Sequence, residues 1–600
     1  MKTLQYALAH LEFRDRLSLS LILIFGSSLA FLDLAGIALV GLTVTVASGN
    51  TSALTGISAN LSLFVGQLGI QNSYALIAVI AVIFFSLKTA ISLLVTSRTS
   101  KYLANLEARK GTALFRTILN GNYDQIAPWS ENQVVYGVTS STGSAFNKIF
   151  TATFSLVTEF TLLVTIAIYL ATVHFGAFLS LFMFFALLSV ALYLSVVRLN
   201  GKLSSAAMRS GVKSGDLVYE AIANFRQIYT AGQGADFVAR FSTLRHASAS
   251  ATARMGVMNL VSRYITEISL MLGLGALLIQ RSLPNAEAIS ASVISIFVVG
   301  ALRIIASLIP LQGHLSTIKQ VDAESEMAIN LAESCANNLQ ISRDKEEQAN
   351  LQVDLEGPEI NVRNMGYRYV GASSDALSEV SLDIPFGEFL AVVGKSGAGK
   401  STFADVLMGL REPSYGEVLV GKIKPKGLVS LHPGIIAYVP QATRLISGTV
   451  VENITLNLSG HFDSERLENA IQVANLTETI DSLPSKRETH LGPQARSLSG
   501  GQIQRIGLAR AIYLNPKILI LDEATSSLDD ETEAHISESL AELRGRISLV
   551  VIAHRVTTLE GADRVANFEG GRLEVFSSMG EMSAALKRRS MTIEEVLGEI

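Results

Sequence analysis

A glycine-rich turn at residues 394–399 carries the clearest chemical signal in this sequence. The apolar run 389–393 before it predicts a buried parallel strand, and Lys400 and Ser401 open a helix after it. Glycines let backbone N–H groups converge on phosphate oxygens, and a helix N-terminus adds partial positive charge. The pattern predicts a phosphate loop in which Lys400 reaches the β- and γ-phosphates and Ser401 ligates Mg²⁺. Its nucleotide-binding residues would be Gly394, Lys395, Ser396, Gly397, Ala398, Gly399, Lys400, Ser401 and Thr402.

Two adjacent carboxylates follow a second apolar run, 518–521. Asp522 and Glu523 therefore emerge at the C-terminal edge of a strand, where α/β sheets bind ligands. Asp522 is expected to hold Mg²⁺ through water, and Glu523 to polarise the water that attacks the γ-phosphate. His554 ends a third apolar run, 549–553, and is a candidate for contacting the γ-phosphate. A single histidine at such a position is more often structural.

Three further features belong to the same half of the chain. Gln441 follows an apolar segment and is placed to reach the metal or the attacking water. Tyr369 precedes the first strands that we predict and could stack on adenine. The run Leu-Ser-Gly-Gly-Gln at 498–502 stands about twenty residues before the carboxylates and opens a helical stretch. Backbone N–H groups and the Ser499 hydroxyl would make the start of that helix a second anion site.

Composition limits the class of protein. Of 600 residues, 17% are charged and 49% are hydrophobic, which indicates a membrane protein with more than one domain. The net charge of −4 gives no electrostatic case for nucleic-acid binding. The lone cysteine, Cys335, excludes an internal disulfide and a cysteine-based metal cluster.

The first half of the sequence predicts six transmembrane helices. Each apolar run reaches the roughly 20 residues that a spanning helix needs. No lysine or arginine occurs at 48–72, whereas the second and fourth connecting loops are rich in both. The positive-inside rule therefore places both termini and these two long loops in the cytoplasm. We expect a multi-pass protein of the inner (plasma) membrane. The runs are 17–46, 74–96, 149–173, 175–197, 256–279 and 288–309.

The two long loops are predicted to fold as pairs of helical arms, because unstructured loops of about fifty residues are uncommon. Their tips would fall near 122–131 and 221–232, where Gly, Pro and Asn interrupt the helical pattern. Ordinary cytoplasmic loops are the alternative. After 316 the sequence becomes more polar, so we predict a membrane domain at 1–335, a linker at 336–357 and a nucleotide-binding domain at 358–600.

Ionisable residues inside the predicted spans are costly unless they are paired or face water. Three are basic: Lys88, Arg263 and Arg303. Pairing is the simpler account for any one of them, and Arg263 stands four residues before Glu267 on one helix face. A shared polar cavity would explain all three together.

The motifs of the second half, taken together, resemble the ATPase domain of ABC transporters. The phosphate loop, Gln441, the 498–502 signature, the carboxylate pair, the Ser-Leu-Asp run at 527–529 and His554 occur in that family's order across roughly 360–576. The resemblance implies that Tyr369 stacks the base, Gln441 senses the metal and His554 acts as a switch histidine. It also implies that two ATP molecules lie between two such domains. Ser499, Gly500, Gly501, Gln502 and Asp529 would then complete a nucleotide site.

A six-span domain fused ahead of the ATPase domain resembles an ABC exporter. The fold class implied is an α-helical membrane domain followed by an α/β P-loop ABC ATPase domain in the cytoplasm. Because the chain carries one set of motifs, the resemblance implies a homodimer that uses ATP and Mg²⁺ and works by alternating access, with coupling helices at the loop tips. The stretch before the signature, 489–495, lacks the glutamate usual in exporters, which puts its contact with the loops in doubt.

The sequence leaves two classes of substrate open. Lys88, Arg263 and Arg303, with a short apolar segment at 52–70, resemble the pattern of bacterial flippases for lipid-linked oligosaccharides. A diphosphate headgroup needs several cations in a low-dielectric cavity, while its tail can stay in lipid. The alternative is a multidrug, peptide or general lipid exporter that also meets an amphipathic substrate. An ATP-gated channel or regulator of the same fold would usually lack an intact Glu523.

Overall fold

The computed structural model describes residues 2–47, 74–173, 175–192, 195–196, 198–281, 291–335, 357–457, 459–492, 498–524, 530–553 and 561–588. Two compact units are present. One comprises Met1–Gly121 and Ile126–Ala336, and the other comprises Asn122–Gln125 and Asn337–Ile600. The apolar segment 52–70 and all of the predicted linker except Gly357 lie outside the described residues.

In its described part, the first unit consists of helices joined by short connections. Two π-helical turns, Gly137–Ser141 and Ser144–Lys148, lead into its central helix. The α-helices up to residue 335 are α1 (Lys2–Ala9), α2 (Phe13–Ala47), α3 (Tyr74–Leu119), α4 (Tyr123–Ile126), α5 (Glu131–Tyr136), α6 (Ile149–Val173), α7 (Phe175–Leu192), α8 (Arg198–Ala223), α9 (Phe225–Thr230), α10 (Gly234–Arg281), α11 (Ala291–Glu324) and α12 (Glu326–Cys335). All of them belong to the first unit except α4, most of which belongs to the second.

The six predicted spans fall on α2, α3, α6, α7, α10 and α11. Within the described residues, three stretches are by themselves long and apolar enough to cross a bilayer: Phe13–Leu32, Val82–Leu119 and Glu131–Thr172. Helices suit this role because their backbone N–H and C=O groups are hydrogen-bonded within the helix. The lipid interior offers these groups no hydrogen-bond partner. The predicted helical membrane domain is therefore confirmed as a fold.

Both long loops are helical, as predicted. Helix α3 runs for 46 residues and α10 for 48, so each continues well beyond its apolar run. Short helices lie at the predicted tips, α4 in the first loop and α9 in the second. Gly232 has a φ of +66° just after α9, a backbone conformation that favours glycine and ends the short helix.

Polar contacts hold the cytoplasmic parts of these helices together. The buried Asp15 carboxylate accepts hydrogen bonds from Tyr102 at 2.8 Å and from Arg109 at 2.7 Å. Lys148 forms a 2.8 Å ion pair with Glu324. Beside them, a small apolar core packs α1, α2, α3 and α6 through residues such as Leu103, Leu106, Phe146 and Ile149.

The second unit is an α/β domain. Its strands are β1 (Ile360–Tyr367), β2 (Leu377–Ile384), β3 (Phe389–Gly394), β4 (Tyr415–Val420), β5 (Ile436–Val439), β6 (Gly448–Thr449), β7 (His490–Leu491), β8 (Ile518–Asp522), β9 (Ser548–Ile552), β10 (Arg564–Glu569) and β11 (Arg572–Phe576). Its helices are α13 (Lys400–Leu407), α14 (Pro425–Leu431), α15 (Val450–Thr455), α16 (Ser464–Val473), α17 (Thr477–Asp481), α18 (Gly500–Tyr513), α19 (Asp530–Ala541) and α20 (Met579–Arg588).

A six-stranded sheet of order β11-β10-β3-β9-β8-β5 forms the centre of this unit. All of its neighbouring pairs are parallel except β10 with β11. Both faces are buried: Ala391 and Val393 pack into one apolar core, while Leu390 and Val392 pack into the other. This double burial explains why these strands are continuous apolar runs. Because β3, β9, β8 and β5 are parallel to one another, the C-terminal ends of β3, β8 and β5 lie at one edge of the sheet.

Our placement of Tyr369 before the first strands is wrong. Strand β1 ends at Tyr367, so Tyr369 lies between β1 and β2. The alternation in β1 is hard to recognise because its register shifts near Met365 and Asn364 adopts a φ of +45°. Together with β2 and β4, β1 forms a separate antiparallel sheet.

Candidate nucleotide site

The phosphate loop has the predicted geometry of strand, turn and helix. Strand β3 is buried along its whole length, and α13 begins at Lys400. Gly399 caps α13 with a φ of +109°, and a Cβ there would lie 2.7 Å from Leu377 Cδ2 and 2.8 Å from the Ala376 carbonyl. Only glycine fits this position, because both the backbone angle and the close packing exclude a side chain.

Lys400 is buried inside the loop that it is predicted to serve. Its Nζ donates hydrogen bonds to the carbonyls of Gly394 at 2.6 Å and Lys395 at 3.1 Å. Burial lowers the pKa of Lys400, and the charges of Glu523 and Asp522 act in the opposite direction. The ammonium is therefore held within the loop, close to two carboxylates that stabilise its charge.

Asp522 ends β8 as a buried carboxylate with two hydroxyl partners. Tyr438 donates a hydrogen bond to Asp522 Oδ2 at 3.2 Å, and Ser401 donates a second one. Burial raises the pKa of Asp522, and the charge of Glu523 raises it further, while the two hydroxyl hydrogen bonds lower it. The structure thus joins the phosphate-loop serine to the carboxylate predicted to hold Mg²⁺.

Glu523 and Gln441, for which water-activating and metal-sensing roles are predicted, lie next to each other. The Gln441 side-chain amide donates to Glu523 Oε2. Glu523 itself has a φ of +49°, and its N–H donates to the Ile552 carbonyl at 2.9 Å. A left-handed backbone is costly for a residue with a Cβ, and such strain is concentrated at functional sites.

The signature segment lies at the start of α18, and two of its residues hydrogen-bond to each other. Ser499 accepts from the Gln502 N–H at 3.3 Å, and Gln502 Oε1 accepts from the Ser499 N–H at 2.8 Å. This reciprocal pair is a capping box, which satisfies two of the helix's free N–H groups. Ser499 and Gly500 are exposed, and Gly501 is half-buried. The segment therefore presents its N-terminal surface to solvent in the single chain.

Tyr369 is 40% exposed, and its hydroxyl lies 2.8 Å from Thr402 Oγ1 in the first turn of α13. One predicted base-binding residue is thereby tied to the end of the phosphate loop. His554 and Asp529 lie outside the described residues, so their predicted positions remain predictions.

The predicted substrate residues belong to the first unit. Arg263 is largely exposed and forms a 2.8 Å ion pair with Glu267 on its own helix, the simpler arrangement that its spacing indicated. Lys88 is half-buried on α3 and interacts with other groups. The Arg303 side chain lies outside the described residues.

Sequence reasoning missed three residues of the site. Tyr438 pairs with Ile520 in the parallel register of β5 and β8, which puts it on the same sheet face as Asp522. A hydroxyl in an otherwise apolar strand was the available signal. Gln504 is buried and donates to the Glu523 carbonyl at 3.3 Å. Arg411 is a buried cation close to Tyr369, and nothing in the sequence singles it out.

Comparison with known proteins agrees with this geometry. Residues 377–526 match the family model described as ABC transporter. The ATP-dependent lipid A-core flippase of Bordetella avium is 33% identical over 325 residues, which is 54% of each chain. The chloroplastic ABC transporter B family member 29 of Arabidopsis thaliana is 38% identical over 229 residues, 37% of this chain and 36% of that protein. The matches thus cover about half or less of the length of these curated relatives.

A solved structure of a bacterial Atm1-family ABC exporter with ATP bound shares the fold of the whole chain. Its TM-score is 0.73 at 20% identity, and 98% of each chain is covered. The class is therefore an ABC exporter fold, with a helical membrane domain followed by an α/β ATPase domain. Within it, residues 377–526 carry the match to the ABC transporter family.

Proposed function

We propose that this protein is an ATP-driven exporter or flippase that moves a lipid-like, anionic substrate across the inner membrane. The observation that carries the proposal is the meeting of Lys400, Ser401, Asp522, Glu523 and Gln441 at one edge of the central sheet. Phosphate binding and water activation need these groups together, and a structural role alone does not.

ATP would bind with its phosphates in the phosphate loop. Lys400 would exchange its two carbonyl acceptors for β- and γ-phosphate oxygens, which carry more negative charge. Glu523 would orient and polarise the attacking water, while Gln441, already bonded to it, would hold that carboxylate in place. Tyr369 would stack on the adenine.

The site fits Mg²⁺ with few protein ligands. Among the described residues no cluster of three His, Cys, Asp or Glu side chains could hold a metal by itself. Ser401, Asp522 and Gln441 offer hard oxygen donors, and Mg²⁺ is usually bound by one or two such groups with phosphates and waters. When bound, the ion would neutralise negative charge on the phosphates.

The functional protein would be a homodimer. The Ser499–Gln502 segment of one copy would close over the phosphate loop of the other and complete the nucleotide site, together with Asp529 and His554. Support comes from the single set of motifs in the chain and from the exposure of the signature. ATP binding would favour an outward-open cavity, and hydrolysis would reset it. The ATPase domain and both termini would be cytoplasmic.

The substrate would be an anionic lipid, such as a lipid-linked oligosaccharide. Several relatives are named for lipid A-core, which supports a lipid-like substrate. Lys88, Arg263 and Arg303 would supply the positive charge for its headgroup. A multidrug or peptide exporter is the competing function, and the transport experiment below separates the two.

Two measurements test the proposal. Glu523→Gln should lower the ATPase rate about 1000-fold, because a general base contributes 10²–10⁴. Glu417→Gln, a change at an exposed glutamate of β4, is the matched control and should leave the rate unchanged. Full activity of Glu523→Gln would refute its assigned role.

The second measurement follows translocation in proteoliposomes. Fluorescent polyprenyl-diphosphate lipid and a neutral drug-like probe are compared with ATP present. ATP-dependent movement of the anionic lipid that is lost in Arg303→Glu supports the flippase. Movement of the neutral probe alone assigns the protein to the multidrug class.

A further inference from the structure

A buried arginine lies beside the ring predicted to stack on the base. The side chain of Arg411 is 8% exposed. Its Nε donates to Asp405 Oδ2 at 2.8 Å, and its Nη1 donates to the Tyr367 hydroxyl at 2.9 Å and to Asp124 Oδ1. A buried cation is stable only when it is paired and hydrogen-bonded in this way.

The same guanidinium contacts three aromatic rings. It lies 4.9 Å from the ring centroid of Tyr369, 5.1 Å from that of Tyr123 and 5.6 Å from that of Tyr367. The Tyr367 and Tyr369 rings meet edge to face with centroids 5.1 Å apart. Tyr369 is thus held by Arg411, by the Tyr367 ring and by the Thr402 hydroxyl, yet it keeps 40% of its surface exposed.

Asp124 belongs to the short segment Asn122–Gln125, which is part of the second unit, called the ATPase unit from here on. Its carboxylate accepts hydrogen bonds from Arg411 and, at 2.7 Å, from the Tyr367 hydroxyl. The Asp124 N–H donates to Asn122 Oδ1 at 3.1 Å, which fixes the turn that presents the carboxylate. One cation therefore touches both this segment and Tyr369.

We propose that Arg411 is a positioning residue that orients the Tyr369 ring for the nucleotide base and links it to Asp124. This inference rests on the proposed ATPase function and deepens it. Arginine suits the role because its planar guanidinium can bond two carboxylates while it packs against aromatic rings. The coupling between two contacts that share one side chain is reciprocal. Loss of the Asp124 contact with Arg411 should therefore also weaken binding of the base to Tyr369.

Three variants measure this link through the KM for ATP, with kcat followed separately. Arg411→Lys keeps the positive charge but loses the planar guanidinium, which hydrogen-bonds several partners at once. It should raise the KM for ATP about tenfold. Asp124→Asn should raise it about threefold. The double variant should be no worse than Arg411→Lys alone, because both changes break one network. Lys426→Gln, which breaks the exposed pair with Glu412, is the control and should not change KM.

Inorganic tripolyphosphate, which has no base, separates positioning from general damage. Its inhibition constant should be the same in wild type, Arg411→Lys and Asp124→Asn. A rise in this constant equal to the rise in KM would overturn the proposal in favour of a structural role, and so would an unchanged KM in both variants. Should Arg411→Lys fail to fold, Asp124→Asn decides alone. A wild-type protein without ATPase activity would instead refute the proposed function.

Discussion

The two units of this protein use apolar surface in opposite ways. In the ATPase unit the apolar side chains of β3 are buried on both faces of a sheet, and the polar groups of the site meet at its edge. In the first unit, called the membrane unit because it carries the predicted spans, large apolar side chains such as Val82 and Ile83 of α3 are 65% and 61% exposed. The hydrophobic effect buries the apolar side chains of the ATPase unit. The exposed apolar side chains of the membrane unit require lipid or another apolar partner.

Polar contacts also have different roles in the two units. Asp522 and Lys400 are kept beside other ionisable groups, which costs stability but suits chemistry. In the membrane unit, Asp15 with Arg109 and Lys148 with Glu324 pair across helices beyond the apolar runs. These pairs join segments that are far apart in the sequence, at positions outside the apolar runs. An exposed apolar side chain is therefore unfavourable where the surroundings are water and favourable where they are lipid.

The largest effect is expected from a charge placed on exposed apolar surface. Ile83→Arg, near the middle of the first α3 run, should lower folded yield in membranes at a cost of about 3 kcal/mol, because the bilayer excludes the charge. Val370→Arg, at a residue of the ATPase unit that is 90% exposed, should be tolerated. Fluorescence-detected size exclusion of both variants makes the comparison. Equal yields would show that α3 does not face an apolar environment.

A smaller effect is expected at the buried carboxylate of the membrane unit. Asp15→Asn should destabilise that unit by about 1–2 kcal/mol, since it removes a charge-assisted bond inside a packed site. Thermal unfolding in detergent micelles measures this. The neighbouring exposed Arg14→Gln is the control. If the two variants unfold at the same temperature, the Asp15 contacts contribute nothing measurable.

The smallest effect is expected in the ATPase unit, at Tyr438. Tyr438→Phe removes the hydroxyl that donates to Asp522 and should lower turnover about three- to tenfold at limiting Mg²⁺. A magnesium titration of the ATPase rate shows whether saturating Mg²⁺ restores it. Tyr415→Phe loses only a 3.4 Å contact with Asp375 and should behave as wild type. Identical titrations for both variants would contradict a role for Tyr438.

Local patterns were sufficient for the parts of the protein that depend on neighbours in sequence. The apolar runs predicted the membrane helices, and the strand, turn and helix around Gly399 predicted the phosphate loop. The same reasoning failed where local regularity is interrupted. Strand β1 lacks a recognisable alternation because Asn364 and the register shifts interrupt it, so the prediction that Tyr369 precedes the first strands is wrong.

What the sequence determined by itself is the class of each half: helices long enough to span a bilayer, and a phosphate loop followed by two carboxylates. Both follow from periodicity and from residue types a few positions apart. Only the tertiary structure decided which side chains meet, including Tyr438 with Asp522, Gln441 with Glu523 and Arg411 with Asp124. These contacts depend on strand order, register and packing between distant segments, and no local pattern encodes them.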